Sequence, residues 1–266
     1  MLTAYIQGIG LIGPGLVDWQ SGARVIAGDD AYSPRATVLS APEGLPPAER
    51  RRTGATVKLG LGVAQQAVAA AGADPTKLIA VFSASNGDGA ICHEICETLA
   101  SPDRQLSPTR FHNSVHNAAA GYWSLATGAT TASTALCAHD GSFAAGLLEA
   151  LAFVSVDRVP VLLSAYETPY PEPLHAKRPI PDSFGVALVL TPSATPNTLA
   201  RLTASLCDTA RTPNRLSEPQ LEALRKAVPA ARSLPLLQLL ARREPGNVVL
   251  DYIGEQCVAI EVSECR

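Results

Sequence analysis

Charge is scarce in this 266-residue chain: Asp, Glu, Lys and Arg make up 17% of it, against 47% hydrophobic residues. A chain this apolar hides more surface than its own core requires, which points to a partner rather than a solitary monomer. Basic clusters are missing beyond Arg50, Arg51 and Arg52, and the net charge is −3, so no electrostatic footprint for nucleic acid is present. Long apolar spans are missing too. The longest, residues 143–165, is interrupted by Glu149, Asp157 and Arg158, and the glycine-broken N-terminus lacks a basic segment. Neither a membrane span nor a signal peptide is therefore expected, and the expected location is the cytosol. The cysteines (Cys92, Cys96, Cys137, Cys207, Cys257 and Cys265) lack the density of a disulfide scaffold. Most are expected to be reduced thiols packed as small apolar residues.

What is present alternates between two periods. Residues 4–9 read as a first strand ending in glycines. Residues 55–71 carry Val57, Leu61, Ala64, Val68 and Ala71 at helical spacing, and Gly72 ends the helix. Residues 78–82 form a continuous apolar run, as expected of a strand buried on both faces. A short helix with Ile91, Ile95 and Leu99 on one face follows, then a helix over 118–126, a strand over 133–137, a helix over 142–153 and strands over 159–164 and 186–190. In the helix over 142–153, Ala144, Leu148 and Leu151 face inward, and Ala144, Ala145 and Gly146 permit close packing. From Pro192 the texture changes to loops, then helices near 218–228 and 234–242, and a closing hairpin of 247–252 and 256–262. The chain is thus read as residues 1–191 followed by a smaller part, 192–266, forming one compact unit.

Three patterns suggest chemistry that their surroundings do not support. Gly8, Gly10 and Gly13 spell G-x-G-x-x-G, but Pro14 and Gly15 follow where a dinucleotide site needs a helix to begin. Cys92 and Cys96 flank His93, yet no second pair of ligands has zinc spacing, so packing is the expected role. His112 and His116 lack the glutamate of H-E-x-x-H. No metal or cofactor is expected.

The segment 111–150 reads as helix, buried strand and a sharp corner into a second helix, with Asp140 at the corner. Such a corner faces the positive end of the following helix, which activates a thiol and favours an oxyanion. Asp140 is also a good helix N-cap, and an ionised carboxylate there is a poor acyl acceptor.

The run SPTRFHNSVHNAAAGYWSLATGATTASTALCAHDGS resembles the nucleophile region of β-ketoacyl synthases, condensing enzymes of the thiolase superfamily. Ser107, Pro108, Asn117, Ala120, Gly121, Gly128 and Ser133 stand in the family's order, and ungapped counting puts Asp140 where the family has its cysteine. Using Cys137 instead would require a three-residue deletion within a buried strand and would flip its faces. The resemblance covers about residues 4–190 and implies an α/β, truncated thiolase-like fold. Its central sheet would be mainly parallel with helices on both faces, and its reduced second half would end in a β-hairpin.

The family also uses two histidines, in motifs such as HGTGT and GHxxGA. Neither motif is present, and His93, His112, His116, His139 and His175 all precede Pro192. The resemblance is therefore to chain-length factors, the inactive ketosynthase-like partners of type II polyketide systems, of the small aryl-polyene or xanthomonadin kind. It implies no catalytic residue, a heterodimer with an active β-ketoacyl synthase, and access to acyl carrier protein through that complex. Ser133, Thr134, Ala135, Leu136 and Cys137 become the expected interface strand. Phe111, Val115, Asn117 and Ala118 become candidates beside the acyl tunnel. Two other readings remain: an acyltransferase or thioesterase using Cys137, activated by His139 or another histidine, and a stand-alone protein that binds an acyl chain or carrier protein.

Overall fold

A computed structural model describes residues 1–207 and 211–264, so Cys265 lies outside the described residues. Strand β1 (Leu2–Ile12) precedes α1 (Trp19–Ala27), α2 (Pro47–Arg52) and α3 (Ala55–Ala71). Next come β2 (Ile79–Ser83), α4 (Gly89–Ala100), α5 (Pro108–Asn113), α6 (Ala118–Thr127) and β3 (Ser133–Leu136). A corner leads into α7 (Ser142–Ala152), followed by β4 (Val161–Glu167), β5 (Phe184–Thr191) and β6 (Ala200–Cys207). Helices α8 (Pro219–Ala227) and α9 (Leu234–Arg242) then precede the hairpin of β7 (Gly246–Asp251) and β8 (Cys257–Ser263). Local chemistry sets many of these ends. Gly72 closes α3 in the left-handed conformation, and Asp18 and Gly28 cap α1 at its two ends.

The described strands form one sheet in the order β3-β2-β4-β5-β1-β6-β8-β7. The α/β, thiolase-like architecture is as expected, but the sheet is mixed rather than mainly parallel. Only β3-β2-β4 run parallel, and the ladders β4-β5, β5-β1, β1-β6, β6-β8 and β8-β7 are antiparallel. The reason is the connections. No helix crosses over between β4 and β5, and strands joined without a crossover pair antiparallel. The unbroken apolar run of β5 reflects helices on both faces, not parallel pairing: all but its last residue are buried. The expected loop after Pro192 contains β6, whose alternating burial at Ala200, Leu202 and Ala204 is a period-2 signal.

Helices α3 and α6 cover one face, where Phe82, Trp123, Leu162, Tyr166 and Val189 share a core. Gly8 and Gly10 make this possible. A Cβ on either would collide with the backbone of α3 at Ala67 or Val63, so these glycines seat a helix on β1 rather than hold a pyrophosphate. The opposite core joins Ile6, Phe143, Leu147 and Leu163 to Leu221, Leu234 and Leu237 from the C-terminal part. Within it α7 lies tight on the sheet, because a Cβ on Gly146 would sit 2.8 Å from the Cβ of Ser83. Ala144 and Leu151 of α7 are buried, while Ala145 and Leu148 are half-buried.

The cysteines correct the packing expectation. Among the described cysteines, Cys92, Cys96 and Cys137 are exposed, Cys207 is half-buried and only Cys257 is buried. Helix α4 explains the first two: it lies on the surface, and Gly89 is its one buried residue. His93 pairs with Glu97 at 3.2 Å along the same helix.

Candidate functional site

The parallel strands β2, β3 and β4 end together, and the corner between β3 and α7 stands at their carboxyl ends. This is where open α/β sheets place ligands. His139 takes φ of 51°, in the left-handed region, and a single turn of 3-10 helix (His139–Gly141) feeds α7. Ser142 ties the corner. Its Oγ accepts from Ala138 N at 3.0 Å and donates to His139 O at 2.7 Å, while Ser83 Oγ donates to Ser142 O at 2.6 Å.

Asp140 is not a helix cap, which overturns the capping expectation: α7 has no side-chain cap hydrogen bond. Two arginines hold its carboxylate instead. Arg178 Nη2 donates to Oδ1 at 2.8 Å and Arg232 Nη2 donates to Oδ2 at 3.0 Å. Arg178 comes from the loop before β5, and Arg232 from a 3-10 turn (Pro229–Ser233) ahead of α9. The pairing continues into the C-terminal part. Arg232 lies 3.5 Å from Asp251, and Arg225 bridges Asp251 at 3.0 Å and Glu222 at 2.8 Å. The buried Arg225 guanidinium, hydrogen-bonded to Glu222, drives that carboxyl down to about 2.

This geometry sets the corner's chemistry. Both carboxylate oxygens of Asp140 engage guanidinium donors, so acyl transfer to it would break two charge-assisted hydrogen bonds and form an anhydride more activated than a thioester. His139 offers Cys137 little help. Arginine can only donate, so its contact with His139 Nε2 occupies that nitrogen's lone pair, and Nδ1 faces Asp140 at 3.6 Å. The Cys137 thiol is exposed.

A group that sequence reasoning passed over lies below the corner. Glu167, the last residue of β4, is 4% exposed and accepts hydrogen bonds from Ser85 N and from Ser85 Oγ, the latter at 2.8 Å. Burial pushes its carboxyl up to about 7, against the opposing pull of the Ser85 donors and Arg178. Tyr170 Oη stands 3.1 Å from Ser85 Oγ. An acidic residue closing an otherwise apolar strand run was the available signal.

The structure puts β3 at one end of the sheet, with Ser133 and Cys137 exposed and Thr134, Ala135 and Leu136 half-buried. Phe111 and Val115 are exposed apolar residues, at 63% and 48%, and Asn117 is exposed at the start of α6. Ala118 differs from them, since it packs partly into the α3–α6 core of its own chain. Asp140 and Cys137 share the corner, but their surroundings diverge: one is clamped and the other is free in solvent.

Residues 19–246 match the family model of the β-ketoacyl synthase N-terminal domain. The chain belongs to that family. No curated protein matches it. Among solved structures of this β-ketoacyl synthase fold, one similar chain is from a ketosynthase (ApeO) in complex with its chain length factor (ApeC), from Xenorhabdus doucetiae. The identity is 22%, covering 98% of this chain and 100% of that one, with a TM-score of 0.73. The ishigamide ketosynthase/chain length factor gives 14% identity, coverage of 99% and 100%, and a TM-score of 0.73. A type II polyketide synthase acyl-carrier protein in complex with its ketosynthase, AntDE:AntF, gives 13%, coverage of 99% and 99%, and 0.71. Each matched chain is covered over nearly its whole length. Among the described residues no helix is long and apolar enough to cross a membrane.

Proposed function

We propose that this protein is a non-catalytic ketosynthase-like subunit, a chain-length factor. It pairs with an active β-ketoacyl synthase in cytoplasmic type II polyketide or aryl-polyene biosynthesis and shapes the acyl tunnel of the pair. Residues 192–266 then serve as a reduced second half that braces the first. The observation that carries the reading is the double ion pair on Asp140, which occupies the nucleophile position with a carboxylate already satisfied by Arg178 and Arg232. The placement of every histidine before Pro192 supports it, because decarboxylation and enolate stabilisation would have no counterpart in the second half.

The test is co-expression with an active β-ketoacyl synthase of the same genome, followed by purification on a single tag. A stoichiometric complex that extends acyl chains, beside an isolated chain that takes up no acyl group from carrier-protein thioesters, is the expected result. Failure of any ketosynthase to co-purify would sink the proposal, and leave the chain a stand-alone acyl or carrier-protein binder. A stable acyl adduct on Cys137 in the isolated chain would favour an acyltransferase or thioesterase instead. The tunnel assignment is tested by Ala118→Phe, which should shorten the product made by the intact pair, since added volume there competes with the growing chain. Unchanged products from an intact complex would remove Ala118 from the tunnel.

A further inference from the structure

Cys207 is the last residue of β6 and Cys257 the first of β8, and the two are direct partners in the antiparallel ladder. Residues opposite one another in such a ladder share a face, with Cα atoms about 4.5–5.5 Å apart, inside the range of about 4.4–6.8 Å that a disulfide spans. Their Cβ atoms start up to about an ångström too far apart, a gap that twist at two strand ends can close. Both thiols are free in the structure. Their environments differ: Cys207 is half-exposed, whereas Cys257 is buried, its Sγ donating to Arg211 O at 3.6 Å.

We infer that Cys207 and Cys257 form a reversible thiol–disulfide site whose co-reactant is a small disulfide such as oxidised glutathione. The accessible Cys207 thiolate attacks one glutathione sulfur, expels the other glutathione as thiolate and leaves a mixed disulfide. The Cys257 thiolate then displaces the second glutathione. Two cysteine thiols are oxidised, one glutathione disulfide is reduced to two glutathiones, and those take up the two protons released. The remaining described cysteines are not equivalent. Cys92 and Cys96 are four apart on a rigid helix, where Cβ atoms stay about 5–6 Å apart and cannot close, and Cys137 has no cysteine opposite it.

The bridge would enclose α8, α9 and β7, and with them Arg232, which holds Asp140 from the C-terminal side, and Asp251 and Arg225, which are linked to Arg232 in turn. Oxidation thus ties down the part of the chain that braces the corner.

The experiment equilibrates the full chain across a series of reduced-to-oxidised glutathione ratios, traps free thiols by alkylation and maps the peptides by mass spectrometry. A Cys207–Cys257 linked peptide is expected, two hydrogens lighter than the reduced pair and reversed by excess glutathione. Cys92, Cys96 and Cys137 should remain unbridged. The oxidised protein should melt higher by roughly 5 °C, and Cys207→Ser should abolish that shift. Alkylation of both Cys207 and Cys257 at every ratio, capture of either by Cys265 or another cysteine, or only mixed disulfides would each overturn the inference. So would a melting shift that survives in Cys207→Ser.

Discussion

The two ends of the sheet are finished differently. At the β7 end the outer edge is met by Asn214, whose backbone N–H donates to Val249 O at 2.9 Å while its side-chain oxygen accepts from Val249 N at 2.8 Å. Behind that edge, Glu222, Arg225, Asp251 and Arg232 form a linked ionic network. At the β3 end, among the described residues, no strand pairs with the outer side. The chain leading to β3 leaves Phe111, Val115 and Leu125 exposed. One edge is capped by its own chain and the other is left open, and an open edge with unpaired backbone groups invites unwanted strand pairing unless a specific partner covers it.

The sharpest way to break this comparison is at Ala135. Ala132 O and Leu136 O both accept from β2, at 3.2 Å each, so the N–H of Ala135 between them faces the open side. Ala135→Pro should leave the isolated fold melting normally and abolish co-purification of the ketosynthase proposed as partner. A complex that survives the proline would show that the partner does not add a strand there.

The capped end is tested next. Arg225 is 7% exposed and satisfies two carboxylates, so Arg225→Ala should cost about 3 kcal/mol in denaturant unfolding. A loss below about 1 kcal/mol would mean that the network contributes little to this end. Acid tests the same site by another route. Because the folded Glu222 carboxyl lies near 2, below its ordinary 4.5, its stabilisation is complete above pH 4.5 and fades as pH falls toward 2.

Glu167, beneath the corner that joins the two ends, has the opposite sign. Its folded carboxyl is raised from 4.5 to about 7, so between those values the folded state keeps a proton that the unfolded state releases. Stability therefore falls as pH rises through that window and levels off above it. Glu167→Gln removes the titration while its amide oxygen still accepts from Ser85 N and its amide N–H donates to Ser85 Oγ, so the variant should be more stable than the parent at pH 8, by about 2 kcal/mol, with no gain at pH 4. Equal pH profiles for the two proteins would rule out a buried proton at Glu167.

The smallest effect is expected at the corner itself. Asp140→Ala strands Arg178 and Arg232 only partly, because both retain some solvent and Arg232 retains Asp251, so a loss of roughly 1–2 kcal/mol is expected. Asp140→Cys should restore no condensation. Measurable acyl uptake by that variant would mean that a thiol at this corner suffices for acyl transfer, against the non-catalytic role proposed for the chain.

The sequence by itself determined what depends on near neighbours. Helix α3 ends at Gly72 because a left-handed turn is cheap only there, β2 reads as a buried run, and the motif from Ser107 to Ser142 identifies the corner and puts an aspartate on it. Strand β6 and helix α1 are written in the same local code, in the alternation from Ala200 and the caps Asp18 and Gly28. Tertiary structure decided the rest. Strand direction follows from which connection packs where, and a buried apolar run looks the same parallel or antiparallel. Gly8 and Gly10 acquire their meaning from Ala67 and Val63 of α3, which fold onto them from 59 and 53 residues away. Asp140 finds Arg178 and Arg232 at separations of 38 and 92 residues, and no local period encodes such a charge pairing. Periodicity records which side of an element meets water. It carries no record of which distant residue will stand opposite, and that opposition left the corner's aspartate clamped between two arginines.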